Sequence, residues 1–276
     1  MARLHHEPIA RGDRAPVRWL VLTHGMFGAG SNWRGIARKI NERRPEWGIV
    51  LVDLRAHGRS EHGEPPHTIA ACAADLRALC DQLAAAGTPI DAVAGHSFGG
   101  KVALAARALA APRLRQTWVL DASPSIRREP EDSANSALAV LALMEQLPRT
   151  WPRRDDFVAA VTAAGHSQAL ARWLAMNLVP DDAGAFVLRL DLAVMRAMID
   201  DYRAQDLWRV LLDPALPGTI EIVIAERSTT ISEADRARLA AAPPHVHVDR
   251  IAAGHWLHIE APARVIELFV ERLPMS

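Results

Sequence analysis

A serine held between glycines is the strongest chemical signal in this chain. Gly95-His96-Ser97-Phe98-Gly99 follows an apolar run at residues 90–94 and precedes an alanine-rich helical run at 101–111. A strand that turns sharply into a helix with serine at the tip strains the serine backbone and pushes its hydroxyl out of the fold. Glycines two residues before and two after are needed because any Cβ would collide with the turn. A serine hydroxyl is a poor nucleophile until a base takes its proton. His255, in Ala253-Gly254-His255-Trp256-Leu257-His258 just after the last apolar run, fits that base and follows Ser97 along the chain. His258 is the weaker candidate and is expected to point elsewhere. His96 is expected to point away from Ser97.

The base needs an acid that fixes its tautomer and stabilises the imidazolium. Three carboxylates compete for that place. Asp121 ends the apolar run 116–120, one run after the serine; Glu226 follows the run 219–225; Asp235 lies further on. An attacked carbonyl also needs two backbone N–H groups aimed at the developing oxyanion. Phe98, directly after Ser97, supplies one. Met26 is the expected second donor, in the loop Thr23-His24-Gly25-Met26-Phe27-Gly28. The spacing Gly25, Gly28, Gly30 lacks a P-loop lysine, which argues against phosphate binding of that kind.

The elements that must position these groups are legible. Apolar runs at 17–22, 47–52, 90–94, 116–120, 219–225 and 245–251 read as strands buried on both faces. Helical spacing covers 33–43, 68–86 with Thr68 as N-cap, and 262–273 with Pro262 in its first turn. The alternation predicts an α/β fold with a mainly parallel, doubly wound sheet. Residues 123–217 are helical in pattern, with at most one strand-like run at 186–190. That stretch is too long for a crossover. It predicts a helical cap inserted over the carboxyl ends of the strands, where ligands bind in such sheets. The expected organisation is core 1–122, cap 123–217, core 218–276. Phe27, Leu143, Trp151, Phe157, Trp173 and Trp256 are the candidate pocket-lining side chains.

Composition narrows the function classes. Across 276 residues, 32 basic side chains balance 32 acidic ones, which argues against a nucleic-acid partner. No apolar run approaches the roughly 20 residues of a membrane span. Residues 1–16 are polar and lack the apolar core of a signal peptide. Cys72 and Cys80 lie about 12 Å apart along one helix by its rise per residue, too far for a disulfide within it. A cytoplasmic, bacterial protein is the expectation. No metal is expected: His245 and His247 alternate on a strand without a joining carboxylate or cysteine pattern.

Four stretches together resemble the α/β-hydrolase superfamily: His24-Gly25, Asp53-Leu54-Arg55-Ala56-His57-Gly58-Arg59-Ser60, Gly95 to Gly100, and Gly254-His255-Trp256. Asn32-Trp33, Gly99-Gly100-Lys101 and Leu120-Asp121-Ala122-Ser123-Pro124 are similar to its small acyl-esterase branch. That branch includes bacterial ybfF-type esterases and α/β-hydrolase domain-containing 11 proteins. The resemblance implies that Asp121 is the acid and that Ser228, at the usual acid position, has an auxiliary role near His255. It also implies that Arg55, His57 and Ser60 fix a loop. The activity implied is serine carboxylic-ester hydrolysis of short-to-medium acyl esters through an acyl-enzyme, with a small-molecule substrate and no cofactor. Thioesterase, acyltransferase, C–C hydrolase and cofactor-free perhydrolase chemistry would keep the same motifs. A non-catalytic ligand-binding protein is the remaining alternative.

Overall fold

The computed structural model describes residues 1–10, 15–109, 114–127 and 136–275. The end of the helical run expected to reach 111 lies outside the described residues. In chain order the strands are β1 (His6–Ile9), β2 (Arg18–Thr23), β3 (Trp47–Val52), β4 (Ile90–His96), β5 (Gln116–Leu120) and β6 (Thr150–Trp151). Then come β7 (Leu178–Pro180), β8 (Phe186–Leu188), β9 (Thr219–Ala225) and β10 (Val246–Ile251). The main sheet has the order β1-β3-β2-β4-β5-β9-β10. Its neighbours pair in parallel except β1, which runs antiparallel to β3.

Alternate side chains of β2 enter different cores. Leu20 and Leu22 pack with Trp33, Ile40 and Trp47 on one face, while Val21 packs with Phe98 and Val102 on the other. The helices that cover these faces include α1 (Arg34–Arg43), α2 (Ile69–Ala85) and α3 (Phe98–Leu109). Thr68 caps α2 by accepting from the Ala71 N–H, as its sequence position predicts.

β1 had no counterpart in the sequence reading. His6-Glu7-Pro8 is polar and only Ile9 is fully buried. At a sheet edge the missing N–H of Pro8 is tolerated, so the strand carries no apolar run to betray it.

Between β5 and β9 lie α4 (Ala137–Gln146), α5 (Arg154–Ala163), α6 (Gln168–Leu174), α7 (Leu192–Ala204) and α8 (Trp208–Leu212). This segment departs from the all-helical expectation. Besides the anticipated strand β8, it contains β6 and β7, which pair antiparallel with β8 on either side. Two- and three-residue strands are too short for an alternation signal. α8 also differs from the rest: Trp208 and Leu211 pack with Ile220 and Ile222 of β9, on the main sheet.

Lys101, in the first turn of α3, roots this segment. Its fully buried ammonium donates to the carbonyls of Ser125 (2.8 Å), Tyr202 (2.7 Å) and Gln205 (2.8 Å). Burial pushes its pKa down to about 8. Asp201 of α7 adds a second tie by accepting the Ile69 N–H that opens α2 (2.7 Å). The fold is completed by α9 (Glu233–Ala240), α10 (Leu257–Glu260) and α11 (Pro262–Arg272).

Candidate active site

Ser97 stands between the end of β4 and the start of α3 with φ +53°, in the left-handed region. A Cβ on Gly95 would fall on the carbonyl of Gly99, and one on Gly99 would fall on the carbonyl of His24. Backbone strain of this kind persists only where the surroundings over-determine it. Here Ser97 donates its N–H to Leu120 (2.9 Å), and its carbonyl accepts from Gly100 (2.9 Å).

His255 lies in the turn between β10 and α10. Its Nε2 is 3.0 Å from Ser97 Oγ, and its Nδ1 is 2.7 Å from Asp121 Oδ2. Asp121 follows β5 with φ +45° and has no solvent exposure. Its other oxygen accepts the Ala225 N–H (3.1 Å). Of the three carboxylates weighed for this place, Asp121 is the one against His255. Glu226 is exposed, and its N–H donates to the Ile251 carbonyl. Asp235 accepts hydroxyl hydrogen bonds from Ser123 (2.6 Å) and Ser125 (2.5 Å), in a separate network.

The hydroxyl at His255 belongs to Thr230, with Oγ1 3.0 Å from Nδ1. Ser228 is one step removed: its Oγ accepts the Thr230 N–H (3.1 Å) and so shapes the turn that presents Thr230. Sequence reasoning missed Thr230 because Thr229 and Thr230 follow Ser228 in one loop, and only packing selects among them.

The loop after β2 is set by two buried histidines. His24 donates Nδ1–H to the Gly25 carbonyl (2.8 Å) and accepts the Leu54 N–H at Nε2 (3.0 Å). His57 donates Nδ1–H to the Arg55 carbonyl (2.9 Å) and accepts the Phe27 N–H at Nε2 (3.2 Å). Burial lowers the basicity of both rings, His57 to about 3. Phe27 has φ +63°, so this clamp holds a strained turn directly after Met26. Phe98 opens α3, where the first N–H groups of a helix have no intrahelical acceptor. Met26, Ser97 and His255 line one narrow cleft of about 50 Å3.

Arg55 and Ser60 also act on the loop architecture. Arg55 makes a buried ion pair with Asp75 (2.5 Å), and Ser60 donates to the Asp53 carbonyl (2.6 Å).

Phe27, Trp173 and Trp256 line the cleft, with the two tryptophan rings edge to face at 4.5 Å. Ala137, Val140 and Leu170, from the segment between β5 and β9, close it. Trp151 and Phe157 do not line it; they pack edge to face at 5.5 Å within that segment. Leu143, half-buried on α4, packs against that same interior. Helical spacing alone could not tell the cleft face of α4 from its inward face.

Two more histidines differ from expectation. His96 lines the cleft and donates Nε2–H to the His255 carbonyl (2.8 Å), bracing the turn that carries the base. His258 also lines the cleft, stacked on Trp33 at 4.7 Å, with its pKa pushed down to about 4 by burial. Among the described residues no group of three or more His, Cys, Asp or Glu is arranged to hold a metal. No described helix is long and apolar enough to cross a membrane.

The profile of the Alpha/beta hydrolase family matches residues 20–268. The chain belongs to that family. The match runs from β2 to α11 and so takes in the whole sheet beyond β1. This hydrolase is 28% identical to an sn-1-specific diacylglycerol lipase of Xenopus laevis, over 87% of its own length and 75% of the relative's. It is 29% identical to the esterase YbfF of Escherichia coli, covering 90% and 89% of the two chains. Among solved structures, a marine microorganism esterase superposes with TM-score 0.83 at 20% identity, over 98% and 99% of the chains. The relatives share ester hydrolysis as a class, and this hydrolase falls with them.

Proposed function

We propose that the protein is a serine carboxylic-ester hydrolase that works through Ser97, His255 and Asp121. The observation that carries the reading is one continuous hydrogen-bond chain, Ser97 Oγ to His255 Nε2 at 3.0 Å and His255 Nδ1 to Asp121 Oδ2 at 2.7 Å. In this reading His255 takes the Ser97 proton as the hydroxyl oxygen attacks the ester carbonyl. The N–H groups of Met26 and Phe98 receive the oxyanion. Collapse of the tetrahedral species expels the alcohol, which takes the proton from His255 and leaves an acyl-serine. Water then attacks with His255 again as base, releasing the acid and restoring Ser97. Asp121 stays ionised throughout and fixes the ring with Nδ1–H toward itself. The route needs no cofactor.

The narrow cleft beneath Trp173 and Trp256 suits short acyl chains, and the medium lengths require those tryptophans to part. Cys72 and Cys80 are free thiols, pushed up to about 12 by burial, which fits a reducing, cytoplasmic setting. The test is hydrolysis of p-nitrophenyl esters from acetate to laurate by wild type and Ser97→Ala. Turnover in the wild type that disappears in the variant is expected. Equal, near-background rates from both would overturn the reading and favour a thioester or acyl-transfer substrate.

A further inference from the structure

A second cavity adjoins the cleft, and its walls are charged. It holds about 310 Å3, against about 50 Å3 over Ser97. Phe27, Asn32 and Trp173 line both spaces. Three arginines, Arg34, Arg59 and Arg189, face this cavity together with Glu7 and Asp53.

The carboxylates are already engaged. Glu7 accepts two hydrogen bonds from Arg34, at 3.0 and 2.6 Å. Asp53 accepts backbone N–H groups, from Gly30 at 2.7 Å and from Arg59 at 2.9 Å. Arg189 donates to the carbonyl of Gly58. Among the described residues no carboxylate pairs with the side chain of Arg59 or of Arg189. Arg59 and Arg189 are exposed side chains on this wall, and with Arg34 they leave three guanidinium groups against the two carboxylates of Glu7 and Asp53, a net positive charge of one. Concave walls concentrate such a field, and the planar guanidinium fork matches carboxylate and phosphate oxygens.

We propose that this cavity binds an anionic group, phosphate or carboxylate, carried on the alcohol side of the substrate ester, with Arg59 and Arg189 as its partners. The cleft over Ser97 is walled by Val140, Leu170 and Trp256, which suit acyl carbons. The charged cavity therefore falls to the half of the ester that departs. Assigning the halves rests on the esterase reading; the anion site itself does not.

The experiment is calorimetric titration of the wild-type protein with glycerol 3-phosphate, with glycerate, and with glycerol as the neutral control. Saturable binding of at least one anion is expected, weakening as salt rises, and the tighter of the two names the group. Arg59→Gln and Arg189→Gln should each weaken it about ten-fold. No binding of either anion, or unchanged affinity in both variants, overturns the proposal. A kinetic arm compares phenyl acetate with 4-acetoxybenzoate, whose leaving group carries a carboxylate. The variants should raise KM for the charged ester and leave the neutral one unchanged; an equal effect on both overturns the assignment. Anion binding without hydrolysis of any ester would retain the site and remove the esterase reading instead.

Discussion

Two loops at the carboxyl ends of the strands use histidine in opposite ways. Around the loop after β2, His24 of that loop and His57 of the loop after β3 each donate to a backbone carbonyl and accept a backbone N–H. Both are buried, and burial lowers their basicity, His57 to about 3. A proton on the accepting nitrogen would face an N–H donor, so these rings are fixed acceptors. In the loop after β10, His255 has a carboxylate on one nitrogen and a hydroxyl on the other, and its side chain is 29% exposed. The difference teaches that burial with backbone donors turns an imidazole into scaffold. A carboxylate on one nitrogen, a hydroxyl on the other and an open side leave His255 in the place that the proposed proton transfer requires. Five histidines crowd this site, and partners rather than proximity to Ser97 separate the roles.

The sharpest way to break the comparison is Asp121→Asn. The amide would turn His255 to the tautomer with Nε2–H facing Ser97, and kcat on the best ester should fall about 10⁴-fold. Melting temperature should move little, and Glu226→Gln should leave kcat intact. Full activity in Asp121→Asn would assign the acid elsewhere.

Acid comes next. His24, His57, His96 and His258 all have folded pKa values below the unfolded one. Below about pH 6 the unfolded chain binds protons that the folded chain refuses, so stability is full above that range and falls as pH drops. Between its folded and unfolded pKa, each such histidine contributes about 1.4 kcal/mol per pH unit to the loss. Urea unfolding at pH 7, 5.5 and 4.5 measures it. His57→Gln and His258→Gln should flatten the slope; an unchanged slope would refute the assignment of neutral scaffold histidines.

His57→Leu tests the scaffold role directly. It leaves the buried Phe27 N–H unpaired, which costs about 1–3 kcal/mol of stability. Because Phe27 adjoins Met26, kcat should drop more than KM changes, and glutamine should restore part of it. Thr230→Val is the mildest change. Losing one hydroxyl beside His255 Nδ1 should lower kcat by only about five-fold, the equivalent of ~1 kcal/mol, and should shift the pH–rate profile rather than the melting temperature.

Much of this was readable from sequence because it depends on local order. The strands of the main sheet beyond β1 announced themselves as apolar runs. The glycines around Ser97 announced a strained turn. Asp121 could be weighed because it ends a strand next to β4. What escaped depends on contacts between distant segments. Thr230 and Ser228 look alike in one loop, and their division of labour needs the position of His255. The places of His96 and His258 escape because sequence spacing does not show that the Trp33 and His255 segments close around them. β1 and the strands β6 and β7 have no periodicity of their own; each is defined by its partner. Positive φ at Phe27 and Asp121 leaves no mark in residue type, since neither is glycine.

Lys101 has a consequence beyond packing. One ammonium gathers carbonyls from the first residues after β5 and from the far end of α7, and fastens them to the helix that springs from Ser97. Two ends of the segment between β5 and β9 are thus clasped at a single socket. Between those two ends, Asp201 still ties α7 to the Ile69 N–H and Asn177 holds the Phe27 carbonyl. A segment exchanged at those two points, with Lys101, Asp201 and Asn177 retained, would enter the fold through the same socket, and substrate range could then evolve by replacing a module.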